Sequence, residues 1–378
     1  MIDRRAIKNF DVTLFITIIF IIVFGLVILS SATHATMARG DDQFAYVKKQ
    51  GFSIFLGLLA IMVILKLDYT RFAKYAKGIY VINVILLLAV KFIGQAHKGA
   101  QSWFAIGTFS VQPSEFAKIF MVITFAVYLS NREGKLNKFW DLIPTFVFFG
   151  VPTILILLQP DLGTALVFVA IYFGMLFVAG ANPKNLIALI LIGTLMLGGI
   201  LTAQLKYGLD KPFKPYQLDR LTIFVDPYKD PRGAGYHVIQ SLVSLGSGGL
   251  WGKGLYKGTQ TQLNFLPEQK NDFIFSVVGE EFGFAGSLAL LLLFYIFVLR
   301  GIKIAVKSKD LMGTLLATGI VSIILFHLLV NIGMAAGIMP ITGIPLPFFS
   351  YGGSSMLANL LGVGILLNVY QRRQVLTF

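Results

Sequence analysis

The stretch DVTLFITIIFIIVFGLVILSS, residues 11–31, is apolar over a length that can cross a lipid bilayer. A spanning helix needs about 20 predominantly apolar residues. Arg4, Arg5 and Lys8 precede the run, as basic residues precede the core of a signal peptide. However, the core of a signal peptide has only about 7–15 apolar residues. We therefore interpret residues 11–31 as a retained first membrane span.

The composition also indicates a lipid-embedded chain. Of 378 residues, 56% are hydrophobic and only 13% are charged, whereas charged residues make up about 25% of a soluble domain. The absence of cysteine excludes a disulfide scaffold, a thiolate metal site and a cysteine nucleophile. The sequence neither requires nor excludes a divalent cation, Mg²⁺ or Mn²⁺, as a cofactor. His237 and His327 have no partner at metal-ligand spacing, so we interpret them as packing or hydrogen-bonding residues.

Apolar runs of similar length recur along the whole chain. They predict an all-α integral membrane protein, a single polytopic membrane domain over residues 1–378 with about ten transmembrane helices. The predicted spans are 11–31, 51–66, 78–95, 114–130, 141–158, 162–180, 185–203, 273–299, 312–336 and 352–370. The second run is short, and we expect it to extend at one end.

The distribution of Lys and Arg predicts the orientation of these spans. With the N-terminus inside, the short inner loops are rich in basic residues and the short outer loops hold few, as the positive-inside rule requires. An even number of spans then places both termini in the cytoplasm. Much of the net charge of +14 is therefore topological, and we expect no nucleic-acid partner.

One connection, residues 204–271, is much longer than the others and lies on the predicted outer side. Loops of this length without structure are uncommon unless they are functional. The segment GYHVIQSLVSLG, residues 235–246, is semi-apolar and predicts a short helix on the membrane surface. The Gly-rich run GSGGLWGKG, residues 246–254, lacks the Ser or Thr that must follow the Lys of a phosphate-binding loop. We interpret it as flexible turns.

Polar motifs mark four of the five helices that enter the membrane from the outer side. They are QPSEFAK (112–118), QPDLGTA (159–165), EQKNDFIF (268–275) and PFFSYGGSS (347–355). The N-terminal end of a helix has unpaired N–H groups and a positive dipole end, which favour anions. Several such ends around one outer cavity would suit a diphosphate.

Each motif also has a purely structural interpretation. Ser114, Asp161 and Asp272 are residue types that cap helix N-termini. Glu115 and Lys118 are three residues apart and share a helix face, so they could form an ion pair inside the bundle.

Trp103 has a structural alternative as well, since tryptophan often marks the membrane interface. Glu280 and Glu281 favour function more strongly, because an acid at membrane depth is costly. We therefore predict that the acids at 268–281 belong to an outer-facing site.

The segment NIGMAAGIMPITGIPLPFFSYGGSS, residues 331–355, resembles the signature of the SEDS proteins (shape, elongation, division and sporulation). The resemblance extends over nearly the whole chain, through QPSE, QPDLGTA, DPYKDPRGAGYHVIQS (226–241) and FLPEQKNDFIF (265–275). Within the family, GTQTQLNFLPE (258–268) and the short cytoplasmic tails look like the elongation branch rather than the division branch.

The resemblance implies a peptidoglycan glycosyltransferase of the bacterial cytoplasmic (inner) membrane that serves cell elongation and rod-shape maintenance. Such enzymes polymerise lipid II on the outer face, together with a class B penicillin-binding protein and other membrane proteins of the elongation complex. The family's essential Asp falls on Asp272 and its functional Trp on Trp103. The resemblance also implies site roles for Glu115, Lys118 and Glu281.

Lipid II polymerisation inverts the anomeric centre, so the implied enzyme needs a base and cations that hold the leaving undecaprenyl diphosphate. Asp272 is the predicted base. The candidate cations are Lys118, Arg220, Lys229, Arg232 and Lys270. Two alternatives remain, a lipid II flippase that uses the charges inside the bundle and a non-catalytic scaffold for a transpeptidase.

Overall fold

The computed structural model describes residues 10–34, 42, 44–97, 100–106, 109–207, 215–231 and 233–373. This part of the chain contains thirteen α-helices, which we number in chain order. They are α1 Val12–His34, α2 Ala45–Lys66, α3 Phe72–Ile93, α4 Pro113–Ser130, α5 Ile143–Leu157, α6 Leu162–Val178, α7 Pro183–Tyr207, α8 Pro215–Val225, α9 Ala234–Ser247, α10 Thr259–Gln262, α11 Ile274–Val306, α12 Leu311–Ala335 and α13 Gly353–Gln371.

The long helices confirm the predicted multi-span architecture. Nine helices of the described ranges are long and apolar enough to cross a membrane. The remaining predicted span, 162–180, corresponds to α6, which is apolar but has only 17 residues. The second span extends at its N-terminal end, as expected, and begins at Ala45.

The helical architecture is confirmed, and a small antiparallel sheet in the loop between α3 and α4 adds to it. Its strands are β1 Gln95–His97, β2 Ala100–Ile106 and β3 Phe109–Val111, in the order β1-β2-β3. The segment QSWFAI within β2 has the aromatic character that suits a strand. Pairing with its neighbours satisfies the backbone groups of a loop that leaves the helical bundle. The fold is therefore nearly all-helical, with one sheet at an end of the bundle.

Three helices, α4, α12 and α13, form the centre of the bundle, and most of their residues are buried. α13 packs on α2, and α12 packs on α4, α6 and α11. Small residues permit the close approaches, as is usual between membrane helices. Gly57 of α2 leaves room for Leu360 of α13, and Gly174 of α6 leaves room for Ser322 of α12. Tight contacts of this kind fix how the polar motifs at the helix starts face one another.

The long connection between α7 and α11 contains α8, α9, α10 and a 3-10 turn at Pro227–Lys229. The predicted helix at 235–246 is confirmed as α9. This helix packs against α11 and α12 through Ser241, whose Oγ lies 2.7 Å from Ser276 Oγ and donates to Ala335 O at 2.7 Å. Its location at the membrane surface stays a prediction. Arg232, one of the predicted cations, lies outside the described residues.

An ion pair, and a hydrogen bond from a tyrosine to a second acid, fix the opposite end of the bundle. Asp11 caps α1 by accepting from Leu14 N at 3.0 Å, and it also accepts from Arg300 Nη2 at 2.6 Å. This pair joins the start of α1 to the far end of α11. Asp310 caps α12 and accepts from the hydroxyl of Tyr69 at 3.0 Å. Both acids therefore have a structural role far from Asp272.

Candidate functional site

Asp272 lies at the turn that leads into α11, and the chain holds it there by its main chain. α11 begins at Ile274 with Phe273 in the capping position, so Asp272 is not the helix cap. Asn331 Nδ2 donates to Asp272 O at 2.9 Å and to Ile344 O at 2.8 Å. Asn331 is fully buried, whereas Asp272 is half-buried. The turn is thereby fixed to the segment that follows α12.

The motif around Ser350 holds the residues just before Asp272. Ser350 Oγ donates to Asn271 O at 2.7 Å and accepts from Leu346 N at 2.9 Å. The backbone N–H of Tyr351 donates to Lys270 O at 2.9 Å. The signature segment therefore acts here as a template for residues 270–272. Sequence reasoning recognised the segment by resemblance but did not assign these contacts to Asn331 and Ser350.

The carboxyl group of Asp272 lies beside the backbone of Gly343. A Cβ atom placed on Gly343 would lie 3.8 Å from Asp272 Oδ2, and the φ of Gly343 is +77°. Glycine adopts this left-handed conformation without strain. The carbonyl oxygen of Thr342, the residue just before Gly343, accepts from Arg220 Nη1 of α8 at 3.4 Å. The structure thus brings Arg220 and Asp272 to adjacent residues of the segment 342–346.

Lys270 is held on the same side by two tyrosines. Its Nζ lies 2.9 Å from the hydroxyl of Tyr46 and 4.0 Å from the centre of that ring. Tyr46 in turn packs edge-to-face on Tyr351 at 4.9 Å between ring centres. Burial, with Tyr46 beside it, raises the pKa of Tyr351, so its hydroxyl stays protonated at neutral pH. Tyr46 has no motif that could have marked it in the sequence.

Glu115 and Lys118 form the ion pair that their spacing allows, deep in the bundle. Lys118 Nζ lies 2.9 Å from Glu115 Oε1, and the two side chains are only 2% and 5% exposed. Lys118 Nζ also lies 3.0 Å from Nε2 of His327, and Nδ1 of His327 lies 3.0 Å from Pro345 O. His327 is therefore a hydrogen-bonding residue, as predicted. Pro345 belongs to the segment 342–346 that also faces Asp272.

Trp103 lies on strand β2 of the sheet between α3 and α4. It pairs with Gln95 across the sheet. The sheet meets α13 where Ser354 Oγ donates to Ser110 O at 3.2 Å. Asp161 caps α6 by accepting from Thr164 N at 2.9 Å, which confirms the capping interpretation for that residue. Ser114 lies inside α4, which begins at Pro113, so it is not a cap.

Glu280 and Glu281 bind the loop before α11 rather than the turn at Asp272. The Glu280 carboxylate accepts from Lys253 Nζ, Gln260 N and Thr261 N at 2.8, 2.8 and 3.0 Å. Glu281 Oε1 accepts from Ser31 Oγ of α1 at 2.6 Å. Both acids are almost completely buried. The structure gives Glu281 a protein partner, and its contact with substrate stays a prediction.

The Gly-rich run completes a break in α11. Gly283 has φ 64° and ψ −160°, so the helix is interrupted there. Lys253 N and Gly254 N donate to Glu280 O and Glu281 O, while Phe284 N and Ala285 N donate to Gly249 O and Leu250 O. A continuous helix would pair these four groups of α11 with each other. The run is therefore an ordered insertion, not the flexible turns that the sequence suggested.

The comparisons with known proteins agree with this architecture. Residues 11–375 match the model of the FtsW/RodA/SpoVE family, described as cell cycle protein. Stage V sporulation protein E of Bacillus subtilis is 38% identical over 95% of this chain and 96% of its own length. The peptidoglycan glycosyltransferase MrdB of Escherichia coli is 35% identical, over 98% of this chain and 95% of its own.

Two solved structures are similar over almost the whole chain. A structure on the coordination of polymerization and crosslinking by a peptidoglycan synthase complex matches with a TM-score of 0.80 and 33% identity, over 96% of this chain and 98% of the other. The crystal structure of RodA of Thermus thermophilus matches with a TM-score of 0.70 and 30% identity, over 96% and 97%. The chain therefore belongs to the FtsW/RodA/SpoVE family, the SEDS proteins, and is a multi-pass protein of the bacterial inner membrane.

Proposed function

We propose that this chain is an inverting peptidoglycan glycosyltransferase that polymerises lipid II on the outer face of the membrane, with Asp272 as the general base. Glycosyltransferase is the activity named for its relatives. The similarity to the RodA structure and the sequence motifs support a role in cell elongation and rod-shape maintenance. The positive-inside pattern supports cytoplasmic termini and an outward-facing site.

One observation carries the proposal: a half-buried carboxylate and two cations lie around the segment 342–346 and its partner turn. Asp272 faces Gly343, Arg220 reaches Thr342, and Lys270 lies two residues before Asp272. An acid and two cations held by neighbouring residues at the end of the bundle suit a reaction in which a hydroxyl loses a proton and a diphosphate departs. Asn331 and Ser350 hold the acid in place through the main chain.

The reaction follows from these roles. Asp272 removes the proton from the acceptor hydroxyl, whose oxygen attacks the anomeric carbon of the donor. The bond from that carbon to the phosphate oxygen breaks, and undecaprenyl diphosphate leaves with the electron pair. Arg220 and Lys270 are placed to stabilise the negative charge that develops on the diphosphate. The geometry at the anomeric carbon inverts because attack and departure occur on opposite faces.

The remaining predicted residues have supporting roles in this proposal. We assign Lys118 to a second contact with the diphosphate and Glu115 to its ion-pair partner. We assign Trp103, on the sheet at the rim, and Glu281 to the substrate chains that extend from the reacting centre. None of these four contacts is needed for the assignment of Asp272.

Within the described ranges, no group of three or more acids and histidines is arranged as metal ligands. Mg²⁺ usually binds through one or two carboxylates together with substrate phosphates and water, so a dependence on Mg²⁺ or Mn²⁺ stays a proposal to test. We therefore place no step of the reaction on a metal, and addition of Mg²⁺, Mn²⁺ or EDTA to the assay tests whether activity depends on one.

The comparisons also support a proposal about the proteins that act beside this chain. One of the similar structures concerns a complex that couples polymerization to crosslinking. We propose that this chain acts beside a class B penicillin-binding protein, whose transpeptidase crosslinks the new strands, and with other membrane proteins of the elongation complex. Membrane lipid surrounds the apolar helices, of which α7 is almost entirely exposed.

The test is polymerisation of labelled lipid II by the purified chain in detergent. Wild-type protein should make glycan strands without a second compartment, which neither a flippase nor a scaffold does. Asp272→Asn keeps the shape of the side chain but removes the base, and we expect a loss of about 10²–10⁴-fold. The matched control is Asp219→Asn, an exposed acid on α8, which should retain activity.

Two outcomes would contradict the proposal. Polymerisation by Asp272→Asn at or near the wild-type rate would remove Asp272 as the base. Absence of polymer from folded wild-type protein, together with lipid II transfer across vesicle membranes, would favour the flippase instead. That rival draws on the buried charges of Glu115 and Lys118 inside the bundle.

A further inference from the structure

His327 connects the buried ion pair to the segment that faces Asp272. It lies on α12 and is only 1% exposed. Its Nε2 lies 3.0 Å from Lys118 Nζ of α4, and its Nδ1 lies 3.0 Å from Pro345 O. Buried polar groups need hydrogen-bond partners, and each ring nitrogen of His327 has one. The ring therefore has two defined contacts, one on each side.

The partners determine the protonation of the ring. A carbonyl oxygen only accepts hydrogen bonds, so Nδ1 must carry a proton and donate it to Pro345 O. Lys118 has three N–H donors and no acceptor, so Nε2 must be unprotonated and accept from Lys118. A proton on both nitrogens would place an imidazolium against an ammonium at 3.0 Å. His327 is thus neutral, in the Nδ1–H tautomer, with its lone pair directed at Lys118.

These contacts limit the directions open to the Lys118 ammonium. One N–H is directed to Glu115 Oε1 at 2.9 Å and a second to His327 Nε2 at 3.0 Å. With two of three protons fixed, the direction of the third follows from the tetrahedral geometry. An ammonium on a flexible four-carbon chain is otherwise poorly directed.

We propose that His327 is a positioning residue that aims Lys118, and that the carbonyl of Pro345 fixes the ring for this purpose. The inference rests on the proposed function, in which Lys118 contacts the diphosphate. His327 itself touches neither substrate nor reacting atoms. Its effect on the reaction passes through Lys118 and adds to the hold that Asn331 exerts on the main chain of Asp272.

Two substitutions separate the contacts of the ring. In His327→Asn the amide nitrogen replaces Nδ1 and keeps the Pro345 contact, but nothing reaches Lys118. In His327→Gln the amide extends to the position of Nε2 and offers an acceptor to Lys118, while the Pro345 contact is lost. We expect a loss in kcat of about 10–100-fold for Asn, the range of one hydrogen bond to a charged group, and a clearly smaller loss for Gln.

A double-mutant cycle then ties the effect to Lys118. We expect Lys118→Met to be at least as inactive as His327→Asn, and the double variant to be no worse than Lys118→Met alone. Rates are taken per folded molecule, with folding checked by thermal unfolding in detergent. A role in stability alone would lower the folded fraction and leave kcat per folded molecule unchanged.

Four outcomes overturn the inference. The first is an active His327→Asn with an inactive His327→Gln, and the second is additive losses of kcat in the double-mutant cycle. The third is an unchanged kcat in all His327 variants, and the fourth is a wild-type kcat in Lys118→Met. Should His327→Asn not fold, His327→Gln against His327→Leu decides, since only Gln restores the acceptor, and equal activity of the two would reject the idea. The role of Asp272 stands or falls separately, on Asp272→Asn.

Discussion

Asp272 and Glu280 belong to one short segment, yet the protein holds them in opposite ways. Glu280 is fully buried, and its carboxylate accepts hydrogen bonds from Lys253, Gln260 and Thr261. Asp272 is half-buried and is held by its main chain, whose carbonyl accepts from Asn331. Asp272 lies in the turn just before α11 and Glu280 lies two turns into that helix.

The difference shows how an acid in a membrane protein can be assigned a role. A carboxylate that accepts several hydrogen bonds from the protein has a structural role, because its charge pairs with donors of a loop that would otherwise have no acceptor. For Asp272 the main-chain hydrogen bond from Asn331 sets the position of the residue, and the proposed function assigns its side chain to the substrate. The free-energy cost of a charge at membrane depth, which marked Glu280 in the sequence, does not distinguish a structural acid from a catalytic one.

Removal of the Glu280 carboxylate should have the largest effect on stability. In Glu280→Ala the charge of Lys253 and the N–H groups of Gln260 and Thr261 lose their acceptor. We expect the free energy of unfolding to fall by about 3 kcal/mol or more, as for a broken buried pair. Thermal unfolding in detergent measures it, with Glu133→Ala, an exposed acid at an inner turn, as the control.

The same variant separates the structural role of Glu280 from the proposed catalytic role of Asp272. Glu280→Ala should retain polymerisation per folded molecule, whereas Asp272→Asn should fold normally and lose it. Stability equal to wild type in Glu280→Ala would show that the loop does not depend on this carboxylate.

Gly283 should show the next largest effect, since the loop that Glu280 fastens also completes the broken helix. Its φ and ψ lie in a region that only glycine occupies readily. A Cβ there would meet the Leu250 carbonyl at 2.7 Å. We expect Gly283→Ala to cost about 1–3 kcal/mol, measured by thermal unfolding. Gly193→Ala on α7, where no atom is within 4 Å, should be neutral or slightly stabilising; equal effects would argue against an ordered insertion.

Much of the fold could be predicted from the sequence because membrane spans have a strong and local signature. The ten apolar runs correspond to nine long helices and α6 in the described ranges. The predicted orientation uses a similarly local rule, the placement of Lys and Arg, and stays a prediction. The sheet at β1–β3 escaped prediction, since seven residues of an outer loop carry little periodic signal.

The site was predicted in part, and what was missed depends on contacts between distant residues. Asp272 was predicted by its place and by resemblance, and its role stays a prediction; the hydrogen bond from Asn331 that holds it spans 59 positions. The pairing of Lys118 with His327 spans 209 positions. The insertion at Gly283 was mistaken for flexible turns, because glycine marks both a flexible loop and a close backbone approach.

Asn331 should have a smaller effect, directed at activity. Asn331→Leu removes the donor to Asp272 O and Ile344 O and leaves both carbonyls unpaired in a buried place. We expect polymerisation per folded molecule to fall by about 10-fold, the value of one net hydrogen bond. Asn359→Leu, a buried asparagine of α13 bonded to Ser355, is the control for loss of a buried amide. Equal activity of the two variants would show that main-chain hold on Asp272 does not matter.

Hydrogen exchange should report the smallest change, and it compares the two halves of the outer connection 204–271. The amides of Gln260 and Thr261 donate to Glu280, so they should exchange slowly whether or not substrate is present. The amides of α8, which carries Arg220, should instead slow when lipid II binds, by about tenfold at ten times the Kd if the segment opens only in the free state.

The Asp272→Asn variant is the protein to use for this measurement, because it should bind lipid II without consuming it. If α8 slows and the Glu280-bound amides do not change, the outer connection has one half that is fastened permanently and one half that closes on substrate. If no amide of the connection slows, Arg220 is not a substrate contact. The diphosphate would then have to be held by Lys118 of α4 and by Lys270 of the turn before α11.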